Sequence, residues 1–160
     1  MDKEGLAALD ASIRNRALFY KAIYDEMRAE LGDTRATDML RRAIYKRGLE
    51  IGRPFARFAP GDLEGLKKAF LDFVPGGDAV FAPKVERCDK DVLQIRLGRC
   101  PLRDAWRAME LSAGEVEHLC HIAGAVDEGT FAAAGFVVKN TTWKDGQPGC
   151  CHLTVTPKSR

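Results

Sequence analysis

The spacing of apolar residues in the first half of the chain predicts helices. Residues 6–31 contain neither glycine nor proline, and apolar side chains recur there at helical spacing. In residues 36–51 apolar side chains again stand three or four positions apart, with basic residues on the opposite face. Gly32 is expected to end the first helix, and Asp33 to cap the second. The two helices are therefore predicted to pack as an antiparallel pair.

A third helix and a pair of strands are predicted next. The helix should begin at Gly61-Asp62 and end before the run 75–78, Pro-Gly-Gly-Asp, which terminates helices. Two apolar stretches, 80–85 and 92–97, then flank a polar turn at 88–91. Short apolar stretches around a polar turn are typical of a β-hairpin.

The second half of the chain repeats this alternation. Pro101 is well placed to start a short helix, because proline suits the first helical position. Ser112 and Glu115 form the capping box of a further helix, which is predicted to run toward Phe131. The apolar residues that follow Gly135, and those close to the C-terminus, predict a second hairpin.

These elements predict an α+β fold, in which a helical N-terminal half packs on a small antiparallel sheet of about four strands. Residues 1–160 are expected to form a single domain, because no linker, repeat or low-complexity tract interrupts them. Residues 1–75 would be the helical part. Residues 79–160 would be a hairpin-helix-hairpin part that carries the candidate site.

Composition and charge exclude several classes of function. The chain has 25 Lys and Arg against 23 Asp and Glu, a net charge of +2 that gives no electrostatic case for nucleic acid or an acidic membrane. No apolar run approaches the roughly 18 residues that span a bilayer, and the charged start of the chain lacks the apolar stretch of a signal peptide. A cytoplasmic protein without nucleic-acid or membrane partners is expected. Tyr45 and the arginines of the second helix could face a second copy in a homodimer, or solvent.

The residues best suited to chemistry are concentrated toward the C-terminus. All three histidines and four of the five cysteines lie between residues 100 and 152. Five cysteines cannot all pair in disulfides, and cytoplasmic thiols stay reduced. Thiolates and imidazoles are the side chains that most often act as nucleophiles or metal ligands. Any active site, for a small-molecule substrate or ligand, is therefore predicted in this region.

Cys150, Cys151 and His152 are the first candidates. Neighbouring side chains on a strand point to opposite faces, so Cys150 and His152 should share one face and Cys151 should take the other. Which of the two cysteines faces a site stays open. Cysteine is also a small and often buried apolar residue, so packing in the core is an alternative of about equal weight.

The predicted helix that begins near Ser112 supplies the second set of candidates. Glu117, Cys120 and His121 lie three and four residues apart, where a carboxylate, a thiol and an imidazole could converge on one face. Asp127 lies about two turns beyond Cys120 and returns to that face if the helix continues. In the alternative, the thiol is packed in the core, the glutamate and histidine form a solvated pair, and the aspartate caps the helix.

A metal site and a carboxylate-binding arginine are two further options. Cys120 and Cys150 are candidate ligands, and zinc is the cofactor that they would suit, although the spacing is not the C-x-x-C of a zinc ribbon. Arg99 could bind a substrate carboxylate through its planar guanidinium, or it could be a surface arginine. The common motifs of dinucleotide-binding proteins, phosphate-binding loops, zinc proteases and serine hydrolases are absent.

Several of these residues occur together in a known order. The sequence contains Arg99-Cys100-Pro101-Leu102 with Trp106, Glu117-x-x-Cys120, Asp127 with Phe131, Gly135-Phe136 and Gly146-x-x-x-Cys150. In these features and in its helical N-terminal half, the chain resembles the L-2-amino-thiazoline-4-carboxylic acid hydrolase family. The resemblance implies that water adds to a thiazoline ring bearing a carboxylate and gives N-carbamoyl-L-cysteine. Members often carry a cysteine three residues before the aspartate. Gly124 stands there in this chain, so either Cys120 supplies the thiol or the chain lacks it.

The C-terminal half is similar, more distantly, to 4-vinyl reductase domains, which are small-ligand sensing modules. Some of these bind zinc through cysteines and a glutamate, and Cys120 with the pair Gly146-x-x-x-Cys150 matches that pattern. The intervening glutamate and cysteine are absent from residues 139–143. His121 or His152 would have to substitute for them.

Two functions follow as hypotheses. In the first, the protein is a hydrolase of a small heterocycle, with Cys120 or Cys150 as nucleophile or metal ligand and a neighbouring histidine as base. The aspartate would orient that histidine or activate water, and Arg99 would hold the substrate carboxylate. In the second, the protein is a non-enzymatic small-ligand or metal-binding module of the vinyl-reductase type. A third option is that all thiols are packed and the surface serves a partner protein.

Overall fold

The computed structural model describes residues 1–158. Its helices, in chain order, are α1 (Lys3–Leu31), α2 (Asp33–Gly52), a 3-10 helix (Arg53–Phe58), α3 (Leu63–Phe73), α4 (Gly77–Val80), α5 (Pro101–Ala108), α6 (Ala113–Ala123) and α7 (Ala125–Ala133). Its strands are β1 (Pro83–Cys88), β2 (Leu93–Leu97), β3 (Phe136–Thr141) and β4 (His152–Pro157). Helices and sheet pack together, so the predicted α+β class is confirmed. Among residues 1–158, no helix has both the length and the apolar character needed to cross a membrane.

Within the described part of the chain, the four strands form one antiparallel sheet in the order β1-β2-β4-β3. The two predicted hairpins therefore join into a single sheet through β2 and β4. Their register runs from Leu93 opposite Val155 to Arg96 opposite His152. This pairing brings the first hairpin beside the cysteine-rich approach to β4.

One face of the sheet packs on the helices, and the other face carries polar residues. On β2, Leu93, Ile95 and Leu97 are buried, whereas Gln94 and Arg96 alternate with them and are only partly covered. Such alternation is typical of an antiparallel sheet with one face in the core. The polar face is called the outer face below.

The first two helices follow the sequence prediction, with one correction. Asp2 caps α1 by accepting the N–H of Gly5, and α1 ends at Leu31. Gly32, not Asp33, is the N-cap of α2. Asp33 instead accepts a 2.6 Å hydrogen bond from the hydroxyl of Tyr24, so its side chain ties α2 to α1.

Helices α2 and α7 approach each other through glycines. A Cβ on Gly48 would lie 2.2 Å from the carbonyl oxygen of Val126, and a Cβ on Gly129 would lie 2.2 Å from that of Tyr45. Any larger residue at either position would push the two backbones apart. This close contact fixes α7 against the N-terminal helices.

The predicted helix from Ser112 toward Phe131 is interrupted. The capping box is present, but α6 ends at Ala123 and α7 restarts after Gly124. A Cβ on Gly124 would lie 2.6 Å from the methyl carbon of Thr142, so the chain bends where only glycine fits against the β3–β4 loop. Asp127 therefore does not lie two continuous turns beyond Cys120.

The strand predicted to begin at Val80 starts later. The chain winds once as α4, which buries Val80 at 1% exposure, and β1 begins only at Pro83. The turn and the second strand of this hairpin lie where the sequence predicts them, with β2 at Leu93–Leu97.

Candidate functional site

Four thiols from three separate segments lie together beneath the sheet. Cys100, Cys120, Cys150 and Cys151 are all buried. The sulfurs of Cys150 and Cys151 are 3.7 Å apart, and Cys100 and Cys150 are close enough to shift each other's pKa. Cys120 is near enough to Cys100 for their charges to interact. The helix and the terminal ribbon thus contribute sulfur to one cluster, to which the start of α5 adds Cys100.

A β-bulge puts the two adjacent cysteines on the same side. Leu97 donates its N–H to the carbonyl of Cys151 (2.8 Å) and accepts the N–H of Cys150 (2.7 Å). Cys150 and Cys151 thus both lie opposite the single residue Leu97. Two residues facing one across a strand pair form a β-bulge, which interrupts the alternation of side chains. The prediction that Cys150 and Cys151 point to opposite faces is therefore wrong. The guanidinium of Arg103, itself paired with Asp104, donates to the carbonyl of Gly149 (2.6 Å) and holds the bulge against α5.

The thiols of this cluster stay protonated at neutral pH. Burial raises the pKa of Cys120 to about 12. For Cys100, the hydrogen bond with Cys150 and burial raise the pKa, against the lowering effect of backbone N–H groups at the start of α5. For Cys150 a hydrogen bond with Cys100 lowers the pKa, but the contact with Cys151 and burial outweigh it. Because the thiolate is the reactive form, none of the three is an activated nucleophile in this state.

The donor set does not fit a metal. Among residues 1–158, no group of three or more His, Cys, Asp or Glu side chains is arranged to hold a metal ion. Structural zinc sites take four ligands and catalytic ones take at least three from the protein. The candidate zinc ligands Cys120 and Cys150 have other thiols near them, but these residues are not arranged as a ligand group.

An open pocket of about 250 Å³ lies on the outer face of the sheet. It is lined by Arg96, Thr141, Gln147, Pro148, Cys150 and His152. Arg96 on β2 and Thr141 on β3 are the direct cross-strand partners of His152 on β4. Such partners have neighbouring side chains, so a guanidinium, an imidazole and a hydroxyl stand side by side at this opening.

One carboxylate joins two of these side chains. Glu86 on β1 places Oε1 2.6 Å from a terminal nitrogen of Arg96 and Oε2 2.9 Å from Nε2 of His152. The second contact is an ion pair when the histidine is protonated, although the two groups are not aligned as a hydrogen bond. Glu86 lies on the outer face because it alternates with Val85 and shares its face of β1 with Lys84, the cross-strand partner of Arg96. Glu86 and Arg96 were not among the candidates from sequence.

Asp127 lies on the inner side, away from this pocket. Its carboxylate accepts a 3.1 Å hydrogen bond from the side-chain amide of Asn140, which also binds the carbonyl of Gly124. Desolvation raises the pKa of Asp127 to about 7. It is close enough to Cys151 for their charges to interact. Its polar partner is an amide and not a histidine, so the predicted role of orienting an imidazole has no counterpart here.

Two further candidates from sequence lie apart from the thiols and the pocket. His121 is exposed on α6, where desolvation and the nearby Arg41 lower its pKa. Adjacent helical residues point about 100° apart, so His121 turns away from the buried Cys120. Arg99 is exposed and donates a 2.7 Å hydrogen bond to the carbonyl of Ala79. The arginine that lines the pocket is Arg96.

A second cavity, of about 270 Å³, lies between α1, the start of α2 and the start of α6. Its lining includes Tyr24, Asp25, Arg28, Asp33 and His118. It shares no lining residue with the outer pocket.

The protein thus has an α+β fold with a polar pocket beside buried thiols. The family model described as L-2-amino-thiazoline-4-carboxylic acid hydrolase matches residues 12–154. The chain belongs to this family, and the resemblance noted from the sequence is confirmed.

Solved structures extend the comparison to the fold. The chain is similar to the crystal structure of a trafficking protein particle complex subunit 3 from Naegleria fowleri, covalently bound to palmitic acid. The TM-score is 0.60 at 17% identity, over 93% of this chain and 96% of that chain. At this identity the likeness describes the fold alone. No curated protein matches the chain.

Proposed function

We propose that this protein is a hydrolase of a small carboxylate-bearing heterocycle, such as an aminothiazoline, and that the reaction takes place in the outer pocket. Membership of the hydrolase family supports the reaction class. The observation that carries the choice of site is the single carboxylate of Glu86 in contact with both Arg96 and His152. A carboxylate, an imidazole and a cation around one opening are the parts that such a hydrolysis needs.

The chemistry assigns a role to each of these side chains. Water adds to the ring carbon between nitrogen and sulfur, the C–S bond breaks, and the departing sulfur takes up a proton. His152 accepts the proton of the attacking water, because Nε2 faces Glu86 and Nδ1 is left as the basic nitrogen. Glu86 orients the ring and stabilises the imidazolium that forms. Arg96 binds the carboxylate of the substrate.

Direct attack by water fits the thiols better than covalent catalysis does. Cys150 lines the pocket, but its pKa lies above the ordinary value despite the lowering effect of its hydrogen bond with Cys100. A protonated thiol is a poor nucleophile. In this proposal Cys150 is a wall of the pocket, and Cys120 and Asp127 support that wall from outside the lining.

The test is an assay of 2-amino-thiazoline-4-carboxylate hydrolysis with matched variants. His152→Asn should lower kcat by about 100-fold or more, as expected for loss of a general base. Glu86→Gln should lower kcat less and alter its pH profile, because it orients the base. His121→Asn, the same exchange on an exposed histidine, should leave kcat unchanged. Equal activity of His152→Asn and the parent protein would refute the site, and no turnover by the parent would refute the substrate class.

A non-enzymatic small-ligand module, resembling 4-vinyl reductase domains, is the second candidate. The protonated state of the buried thiols favours it, because a binding module needs no activated nucleophile. The similar trafficking-complex subunit, whose structure carries covalently bound palmitic acid, is an example of this fold with a ligand. The metal-binding form of this alternative has no suitable donor set among residues 1–158. Saturable binding of the thiazoline to the parent protein without any turnover would favour this candidate.

A further inference from the structure

Contacts between side chains of α1, α2 and α6 hold one wall of the second cavity in place. Tyr24 is 4% exposed and donates its hydroxyl to Asp33 on α2 (2.6 Å). His118 on α6 packs on the Tyr24 ring, with 5.3 Å between centroids and 50° between planes. Nε2 of His118 lies 2.9 Å from the hydroxyl of Thr37. Three helices are thus locked together around the cavity by polar contacts, which keeps its shape in the absence of a ligand.

An unsatisfied carboxylate oxygen stands at this cavity. Oδ2 of Asp25 is bound by Lys21, but Oδ1 is buried and has no hydrogen-bond partner. The guanidinium of Arg28 is 3.8 Å from Oδ1, beyond hydrogen-bonding distance, and lies over the Tyr24 ring at 5.7 Å from its centroid. A buried acceptor without a donor is destabilising. The cavity wall therefore carries an incompletely hydrogen-bonded carboxylate, Asp25, beside the cation of Arg28.

The volume of the cavity and the charges that line it restrict the classes of ligand that could bind there. The volume of about 270 Å³ is slightly below the range of roughly 300–1,000 Å³ usual for drug-sized ligands. Carboxylates at Asp25, Asp33 and Glu115 and cations at Lys21 and Arg28 all line this space. A simple anion or a simple cation would leave one wall unpaired, whereas a zwitterion satisfies both.

We propose that this cavity binds a free α-amino acid. The α-carboxylate pairs with the guanidinium of Arg28, whose planar fork suits a carboxylate. The α-ammonium donates to the carboxylates of Asp25 and Asp33. The side chain of the amino acid rests on Tyr24 and His118. The site is independent of the proposed hydrolysis, because the two cavities share no lining residue.

Calorimetric titration of the full-length protein with each of the twenty L-amino acids tests the proposal. At least one should bind with a Kd below about 1 mM. The amide of that amino acid lacks the carboxylate, and its N-acetyl derivative lacks the ammonium. Both should bind at least tenfold more weakly to the parent protein. If no amino acid binds, or if both analogues bind as well as the parent compound, the proposal is overturned.

Variants locate the binding. Arg28→Gln and Asp25→Asn should each weaken binding at least tenfold. The matched controls Arg42→Gln and Asp38→Asn, on exposed positions of α2, should bind as the parent protein does. Binding that survives both cavity variants would place the site elsewhere and refute the assignment. The comparison of analogues uses only the parent protein, so it decides the question even if a variant fails to fold.

Discussion

The outer pocket and the thiol cluster behind it lie on the two sides of one sheet, and they offer opposite conditions for chemistry. Arg96 and His152, which line the pocket, and Glu86, which contacts both, have side chains 26–39% exposed, so water and substrate reach them. Behind it, Cys100 and Cys120 are at most 8% exposed. Cys150 lies at the boundary, since it lines the pocket and hydrogen-bonds into the cluster.

This difference shows that burial decides which reactive side chains can react. Cysteines are intrinsically the strongest nucleophiles of the chain, but desolvation favours their neutral form. The imidazole of His152 sits at an opening beside a carboxylate, where it can exchange protons with water. The thiols are therefore expected to fix the shape of the pocket wall, and the polar residues of the outer face are expected to do the chemistry.

The largest expected effect is slow alkylation of the clustered thiols. With iodoacetamide at pH 8, Cys100, Cys120, Cys150 and Cys151 should react at least ~100-fold more slowly in the native protein than after unfolding in urea. Each pKa unit above the ordinary value removes about nine-tenths of the thiolate, and burial adds a steric barrier. Site-resolved mass spectrometry measures the rates.

Cys88 is the internal reference for this experiment. It is only partly buried, and burial and Glu64 raise its pKa to about 11. It should be the first thiol of the native protein to react. If Cys150 is labelled as fast in the native protein as in the unfolded chain, the thiol cluster is not unreactive, and Cys150 is again a candidate nucleophile.

The next effect concerns the pH dependence of stability at Asp127. Its folded pKa, about 7, lies above the ordinary 3.8, so the native state binds more protons than the unfolded state between about pH 4 and 7. The free energy of unfolding should therefore fall as the pH rises through this window. Asp127→Asn, which keeps the contact with Asn140, should be as stable as the parent protein near pH 4. At pH 8 it should be more stable by about 4 kcal/mol, since each of the roughly three pKa units corresponds to about 1.4 kcal/mol.

Urea unfolding at pH 4–8 measures this difference, and Asp89→Asn is the control. The pKa of Asp89 is lowered by hydrogen bonds from the backbone of Asp91 and from Arg87, so it contributes stability that is lost as the pH falls through its folded pKa. Its variant should become less stable relative to the parent protein as the pH rises, opposite to Asp127→Asn. A constant difference for Asp127→Asn would mean that this carboxyl is ionised in the native protein at every pH tested.

Most of the fold could be predicted from local patterns, because helix stops, caps and strand alternation are encoded by neighbouring residues. The capping box at Ser112 and the proline start of α5 are examples. The pairing of β2 with β4 could not be predicted, because it joins segments about 60 residues apart in sequence. The break at Gly124 was missed because it depends on the close approach of Thr142, a tertiary contact.

The candidate site could be predicted in part. Concentrated histidines and cysteines indicated Cys150 and His152, and both line the pocket. Arg96 could have been found from the alternation of β2, which points it away from Ile95 and Leu97. Glu86 follows the same alternation on β1, but its contact with Arg96 and His152 depends on the pairing of three strands, which neighbouring residues do not encode. The direction of the Cys151 side chain was predicted wrongly, because a β-bulge has no clear signature in the neighbouring sequence.

The smallest expected effect is a difference in KM between substitutions of two arginines, Arg96 and Arg99, that lie three residues apart. Arg96→Gln should raise KM for the thiazoline carboxylate about tenfold, since one charge-assisted hydrogen bond contributes about 1.5 kcal/mol. The value of kcat should change less than KM does, because the guanidinium binds the substrate and takes no part in proton transfer. Steady-state kinetics at several substrate concentrations separates the two constants.

Arg99→Gln is the matched control, with the same loss of charge at the position that the sequence alone suggested. Its guanidinium is exposed and held by the carbonyl of Ala79, outside the pocket. KM should therefore stay within about twofold of the parent value, as expected for an exposed substitution away from the site. If Arg99→Gln raises KM and Arg96→Gln does not, substrate binds at the turn before α5. Arg96 would then not bind the substrate carboxylate, and the outer pocket would not be the reaction site. The contrast between a reactive outer face and an unreactive thiol cluster would no longer hold.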